Sequence, residues 1–221
     1  PKYTNAFNNR GLAYKNKGEY GRAIADYNQA ILLHPKLAIA FNNRGIAYGN
    51  KGEYDRAIAD YNQAILLHPK LAEAFNNRGT AYSDKGEYDR AIVDYNQAIL
   101  LNPKYTNAFN NRGLAYKNKG EYDRAIADFN QAIQINPKLA IAFNNRGLAY
   151  DKKGEYDRAI ADFNQAILLN PKLELAFNNR GTAYKNKSEY DRAIADFNQT
   201  ILINPKDSAA FKNRGLAYSD K

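Results

Sequence analysis

The hexapeptide AFNNRG, at residues 6–11, returns at 40, 74, 108, 142 and 176, and a variant, AFKNRG, begins at 210. Its two primary amides and its guanidinium are the groups in this chain best suited to recognition chemistry. Each asparagine offers a carbonyl acceptor and an NH2 donor, the complement of a peptide unit. A line of such amides can hold an extended backbone with little regard to its sequence. The chain supplies two lines of candidate peptide-binding residues. One is Asn9, Asn43, Asn77, Asn111, Asn145, Asn179 and Asn213; beside it run Asn8, Asn42, Asn76, Asn110, Asn144 and Asn178, with Lys212 ending the second line.

Other chemistry has little material. The two histidines, His34 and His68, stand immediately before prolines, where other copies of the pattern carry Asn102, Asn136, Asn170 and Asn204. A His/Asn exchange at that place reads as a choice of helix-end residue rather than as a base or a metal ligand. Acidic pairs of the Glu87–Asp89 type recur at helix starts, where negative charge is favourable. Cysteine is absent, which excludes disulfides and thiolate sites. The glycines fall at repeat spacing rather than in a phosphate loop. No catalytic residue, cofactor or metal site is expected, and the chain reads as non-enzymatic.

Those amides have to be positioned by something, and the spacing says what. Prolines at 1, 35, 69, 103, 137, 171 and 205 keep a step of 34, as do phenylalanines 7, 41, 75, 109, 143, 177 and 211. Phe75, Gly79 and Tyr82 fall at i, i+4 and i+7, one apolar helical stripe. Gly86 punctuates, a second stripe of Ala91, Ile92, Tyr95, Ala98 and Ile99 follows, and Pro103 stops it. Each unit is therefore a pair of antiparallel helices, which cannot bury its faces alone and must stack on its neighbours. The expected organisation is a single array: six full units over about 4–207, then the first helix of a seventh over 208–221.

The pattern Phe75-x2-Arg78-Gly79-x2-Tyr82, then Ala91-x3-Tyr95, then Pro103 resembles the tetratricopeptide repeat (TPR), whose signature has a period of 34. The likeness runs the whole length of the chain. Pentatricopeptide repeats, which bind RNA, have a period one residue longer. The resemblance implies an all-α fold, a right-handed α-solenoid (superhelix) of antiparallel helix pairs whose first helices line a concave groove for peptides. The asparagines would form a ladder along that groove, as in asparagine-lined TPR superhelices. Ile39, Ile141 and Leu175 would add apolar patches, and Lys15, Lys117, Lys152 and Lys185 would favour acidic ligand residues.

Two departures matter. Phe replaces the signature's Trp and Arg replaces its Leu. Arg78 lies about 60° from the centre of the Phe75 stripe at ~100° per residue, a boundary position. Each full unit has an aspartate at the matching boundary of its second helix, Asp26, Asp60, Asp94, Asp128, Asp162 and Asp196, and an Arg–Asp pair is expected. Asn77 lies about 160° from the stripe and Asn76 on the flank, so Asn77 should point directly away from the core.

The expected partner is a protein or peptide in extended conformation. The alternative is a structural or self-assembling solenoid whose asparagines keep the groove wet or bridge adjacent helices. The net charge of +9 could suggest nucleic acid, but the excess is spread along the chain as roughly one charge per unit among mixed charges, so RNA is disfavoured. No apolar run is long enough to span a bilayer, and no membrane partner is expected. The first residue is Pro1 and no signal peptide is visible, which reads as a fragment of a cytoplasmic protein. Weak end-to-end self-association is expected from a terminal helix with an uncovered apolar face. Ser188 stands where Gly18, Gly52, Gly86, Gly120 and Gly154 stand in the other turns, and should be strained if that residue is left-handed.

Overall fold

The structure, a computed structural model, describes residues 2–221 as two compact units, one ending at Ala115 and the other spanning Tyr116–Lys221. Among the described residues all regular structure is helical. The first unit holds α1 (Lys2–Asn16), α2 (Tyr20–Leu33), α3 (Ala38–Asn50), α4 (Tyr54–Leu67), α5 (Ala72–Asp84) and α6 (Tyr88–Leu101). The unit boundary falls inside α7 (Thr106–Asn118). The second unit continues with α8 (Tyr122–Ile135), α9 (Ala140–Lys152), α10 (Tyr156–Leu169), α11 (Glu174–Asn186), α12 (Tyr190–Ile203) and α13 (Ser208–Asp220). Within each unit, odd- and even-numbered helices pair as hairpins, and each hairpin stacks on the next, the arrangement of an α-solenoid.

The turn inside each hairpin is set by one left-handed residue. Gly52 has φ 76°; its N–H donates to the Gly49 carbonyl at 2.8 Å, and Glu53 N–H donates to the Tyr48 carbonyl at 3.0 Å. This pair of reversed bonds is the Schellman ending that glycine permits. Ser188 occupies the same conformation, φ 60°, with the same two bonds to Lys185 and Tyr184. At the far end of the second helix, Asn102, Asn136, Asn170 and Asn204 accept a hydrogen bond from the backbone N–H two residues on, and His34 and His68 occupy the matching C-caps. The histidines thus stand at helix ends.

Inside each hairpin the helices cross closely because the first contributes a glycine. A Cβ on Gly45 would lie 2.6 Å from the Tyr61 ring, and one on Gly147 would lie 2.7 Å from Phe163. Those rings are the centres of the core: Tyr27, Tyr95, Phe129, Phe163 and Phe197 are fully buried, Tyr61 nearly so, and the alanines Ala57, Ala64, Ala91 and Ala98 are buried as well. Apart from the buried Phe109, the motif phenylalanines contribute less than their spacing implies. Phe75 and Phe143 are only half-buried, each under a guanidinium, with Arg78 5.6 Å and Arg146 5.5 Å from the ring centroid.

Candidate functional site

The site is built from the first helix of each hairpin. Arg78 is the boundary residue its place on the wheel implies. Its Nε and Nη2 donate to Asp94 Oδ2 and Oδ1 at 2.7 and 2.6 Å, a bidentate fork across the hairpin. Arg10, Arg44, Arg146 and Arg180 make the same fork to Asp26, Asp60, Asp162 and Asp196. Hydrogen bonding to its aspartate raises each of these guanidinium pKa values, so the arginines stay charged throughout.

One partner was not legible from the sequence. Arg78 Nη1 also donates to Asn62 Oδ1 at 2.6 Å, on the second helix of the preceding hairpin. Arg44, Arg146 and Arg180 do the same to Asn28, Asn130 and Asn164. Each of these arginines therefore ties three helices.

The asparagines sit differently from the expectation. Asn77 does not point clear of the protein: it is half-buried, and its Nδ2 donates to Asn42 Oδ1 of the preceding hairpin at 3.0 Å. The same bond, from the second motif asparagine of one hairpin to the first of the hairpin before, joins Asn43 to Asn8, Asn111 to Asn76, Asn179 to Asn144 and Asn213 to Asn178 at 2.9–3.1 Å. Asn42, Asn76, Asn110 and Asn144 are buried, as are Asn43 and Asn145, whereas Asn111, Asn179 and Asn213 are half-buried and Asn9 is exposed. Asn8 and Asn178 are half-buried. The helical wheel errs here for a physical reason. It ranks positions by distance from the partner within the hairpin, and the flank it leaves open is covered by the first helix of the next hairpin.

Bonding between the asparagines is incomplete. Asn76 Nδ2 donates to Asn77 Oδ1 at a long 3.4 Å. Asn77 therefore keeps one N–H and one lone pair after its neighbours are served. It lines a cavity of about 150 Å³ together with Ile46, Gly49, Asn50, Tyr54, Tyr61, Thr80, Ala81 and Asp84. Burial raises the Asp84 carboxyl pKa. In the second unit, burial raises the Asp151 carboxyl, and burial and Lys152 lower the Lys117 ammonium.

At the turns, lysine ties hairpins together. Lys85 Nζ reaches Asp55 at 2.6 Å and Glu87 at 3.0 Å, and Lys153 and Lys187 repeat the arrangement with Asp123 and Asp157. The Glu87–Asp89 type of acidic pair is thus engaged by basic side chains: Glu87 is the N-cap of α6 without a side-chain cap bond, and it meets Arg90 instead. Among the described residues no cluster of three or more His, Asp or Glu could hold a metal ion, and no helix is long and apolar enough to cross a membrane.

Stacked two-helix hairpins, closed by a left-handed turn and, at Gly11, Gly45, Gly79, Gly147 and Gly181, by a glycine–aromatic crossing, define a helical-hairpin repeat protein. The chain belongs to the tetratricopeptide repeat family: that family's model matches residues 38–71, 106–139, 140–173 and 175–207, and related TPR models match 11–52, 79–120 and 60–93. Among solved structures, MamA is 31% identical with a TM-score of 0.64, over 73% of this chain and 95% of that one. A chain of the APC/C hetero-tetramer Cut9–Hcn1 gives a TM-score of 0.87 at 22% identity, over 98% of this chain and 43% of its own, so the present chain spans less than half of it. YrrB, described as a TPR protein with an unusual peptide-binding site, gives 0.64 at 23% identity over 86% and 97%. No curated protein sequence matches the chain significantly.

Proposed function

We propose that the first-helix face binds extended protein or peptide segments, with Asn43, Asn77, Asn111 and their counterparts meeting the ligand backbone. The observation that carries this is the half-used amide. Asn77 is held by its bond to Asn42, yet keeps an N–H and a lone pair at the wall of an open cavity. A side chain already fixed loses less conformational freedom when a ligand arrives. The first line would make the contacts, and the buried second line, Asn42, Asn76 and Asn144, would orient it. The peptide-binding site for which YrrB is described supports the same use of the fold.

A second reading draws on the same bonds: asparagines that only pack one hairpin on another. Calorimetric titration of a peptide selected from a random library separates the two. Replacing Asn43, Asn77 and Asn111 together by Ala should weaken binding roughly 10- to 1000-fold, if each amide contributes about 0.5–1.5 kcal/mol. Circular dichroism at the titration temperature should show the helices intact. Full affinity in the triple variant would leave packing as the asparagines' whole role.

Self-association belongs to the same reading. On α13, Phe211, Leu216 and Tyr218 are 44%, 43% and 60% exposed, an apolar face that a further hairpin or a second copy would cover. Sedimentation should show weak, concentration-dependent association that Phe211→Ser with Tyr218→Ser abolishes. A strict monomer at high concentration would overturn it.

A further inference from the structure

The residues lining the cavity beside Asn77 differ from those at the same places in the neighbouring copies at several positions, among them Gly49, Thr80 and Asp84. At the position of Gly49, the neighbouring copies of the unit carry Lys15, Ser83 and Lys117. A Cβ built on Gly49 would have its nearest neighbour, the Tyr61 hydroxyl oxygen, 4.0 Å away. The missing side chain leaves that hydroxyl at the cavity wall, and it pairs with no group among the described residues. Tyr61 is otherwise buried, at 4% exposure.

The cavity lining also carries Asp84. Most carboxylates of the chain are matched: Asp60 and Asp94 hold arginines, Asp55 holds Lys85, and Glu53 and Glu87 each hold two basic side chains. Among the described residues Asp84 has no cation partner. Asp84 and Tyr61 line the same cavity, and burial, followed by the charges of Asp60 and Asp84, raises the pKa of the Tyr61 phenol. Ile46 and Ala81 supply the apolar wall, and Asn50 and Asn77 the amides. About 150 Å³ is the volume that holds a ring or one long side chain.

We infer that this cavity, between α3, α4 and α5, is a side-chain subsite that takes the lysine or arginine of an extended peptide. The cation meets Asp84, the Tyr61 hydroxyl offers its lone pairs, and the methylene stem lies on Ile46 and Ala81. Long basic side chains combine an apolar stem with a charged head in this way. The inference rests on the groove reading above and adds a register: a basic ligand residue where the second and third units meet. It runs against the net charge of +9, which at long range attracts acidic ligands. A preference for a basic residue is therefore diagnostic of the local carboxylate.

The test uses labelled nine-residue peptides of alternating Ser and Ala with a central Lys, Arg, Leu or Glu, and fluorescence polarisation at low and moderate salt. The Lys and Arg peptides should bind roughly five- to tenfold tighter than the Leu peptide at low salt. Asp84→Asn should erase that gap by lowering the affinity of the Lys and Arg peptides. Gly49→Lys fills the cavity with the residue found at positions 15 and 117 and should erase it too. Lysine is the better helix former there, so lost discrimination cannot be put down to unfolding. Equal affinity for Lys, Leu and Glu peptides, or a gap that survives Asp84→Asn, would overturn the subsite and leave the groove reading standing. If no peptide binds wild type at millimolar concentration, the groove reading falls and takes the subsite with it.

Discussion

Arg78 and Asn77 are adjacent in sequence, and the two lines they belong to are finished to different degrees. Arg78 engages all three of its nitrogens, two on Asp94 and one on Asn62, and its side chain is 21% exposed. Asn77 has one firm bond, one long one and an open cavity beside it. The arginine line is a set of completed joints; the asparagine line is a set of joints with capacity left over. A surface that recognises ligands needs the second kind, because groups already satisfied gain little by exchanging partners.

The largest effect is expected at the arginine. Arg78→Leu restores the family's usual residue but leaves Asp94, 4% exposed, without its cation. It should cost roughly 3 kcal/mol, read as a lower denaturation midpoint and faster hydrogen exchange in α5 and α6, with peptide affinity unchanged. Combining it with Asp94→Leu should recover most of the loss. A single variant as stable as wild type would show that the fork contributes nothing.

Within the asparagine line, the buried member should matter more to the fold and the half-buried member more to binding. Asn76→Ala strands the Nδ2 of Asn111 and removes the donor to Asn77. It should cost about 1–2 kcal/mol, against less than about 1 for Asn77→Ala, whose site water can reach. Equal costs in urea titrations would erase the distinction between the two lines.

Ser188→Gly touches neither line and calibrates the backbone. Relieving a left-handed serine should stabilise the turn between α11 and α12 by roughly 1 kcal/mol, bringing its amide protection up to that of the Gly154 turn. Affinity for any groove peptide should not change. Unchanged protection would mean the turn tolerates serine without strain.

The hairpin was legible because its evidence is local. Stripe spacing, Gly86 and Pro103 sufficed for two helices and a turn, and the boundary angle of Arg78 pointed to Asp94 within the same hairpin. The Asn62 contact was not legible, nor was the burial of Asn76, because both depend on where the neighbouring hairpin lies. A helical wheel carries no information about that register. Phe75 misled for a related reason: the guanidinium over its ring takes space that the stripe alone assigned to core. The cavity at Gly49 was hidden in the repetition itself, in a few substitutions, Gly49, Thr80 and Asp84, among near-identical copies.

The polar bonds between helices have another consequence, for folding kinetics. They span 16 residues within a hairpin and 16, 30 or 35 between one hairpin and the next. Loop-closure entropy depends on those spans and not on total length. Each hairpin can therefore search for its partners over the same short chain distance wherever it stands. Adding or removing whole 34-residue units should leave the elementary folding rate nearly constant while stability grows with each new neighbour.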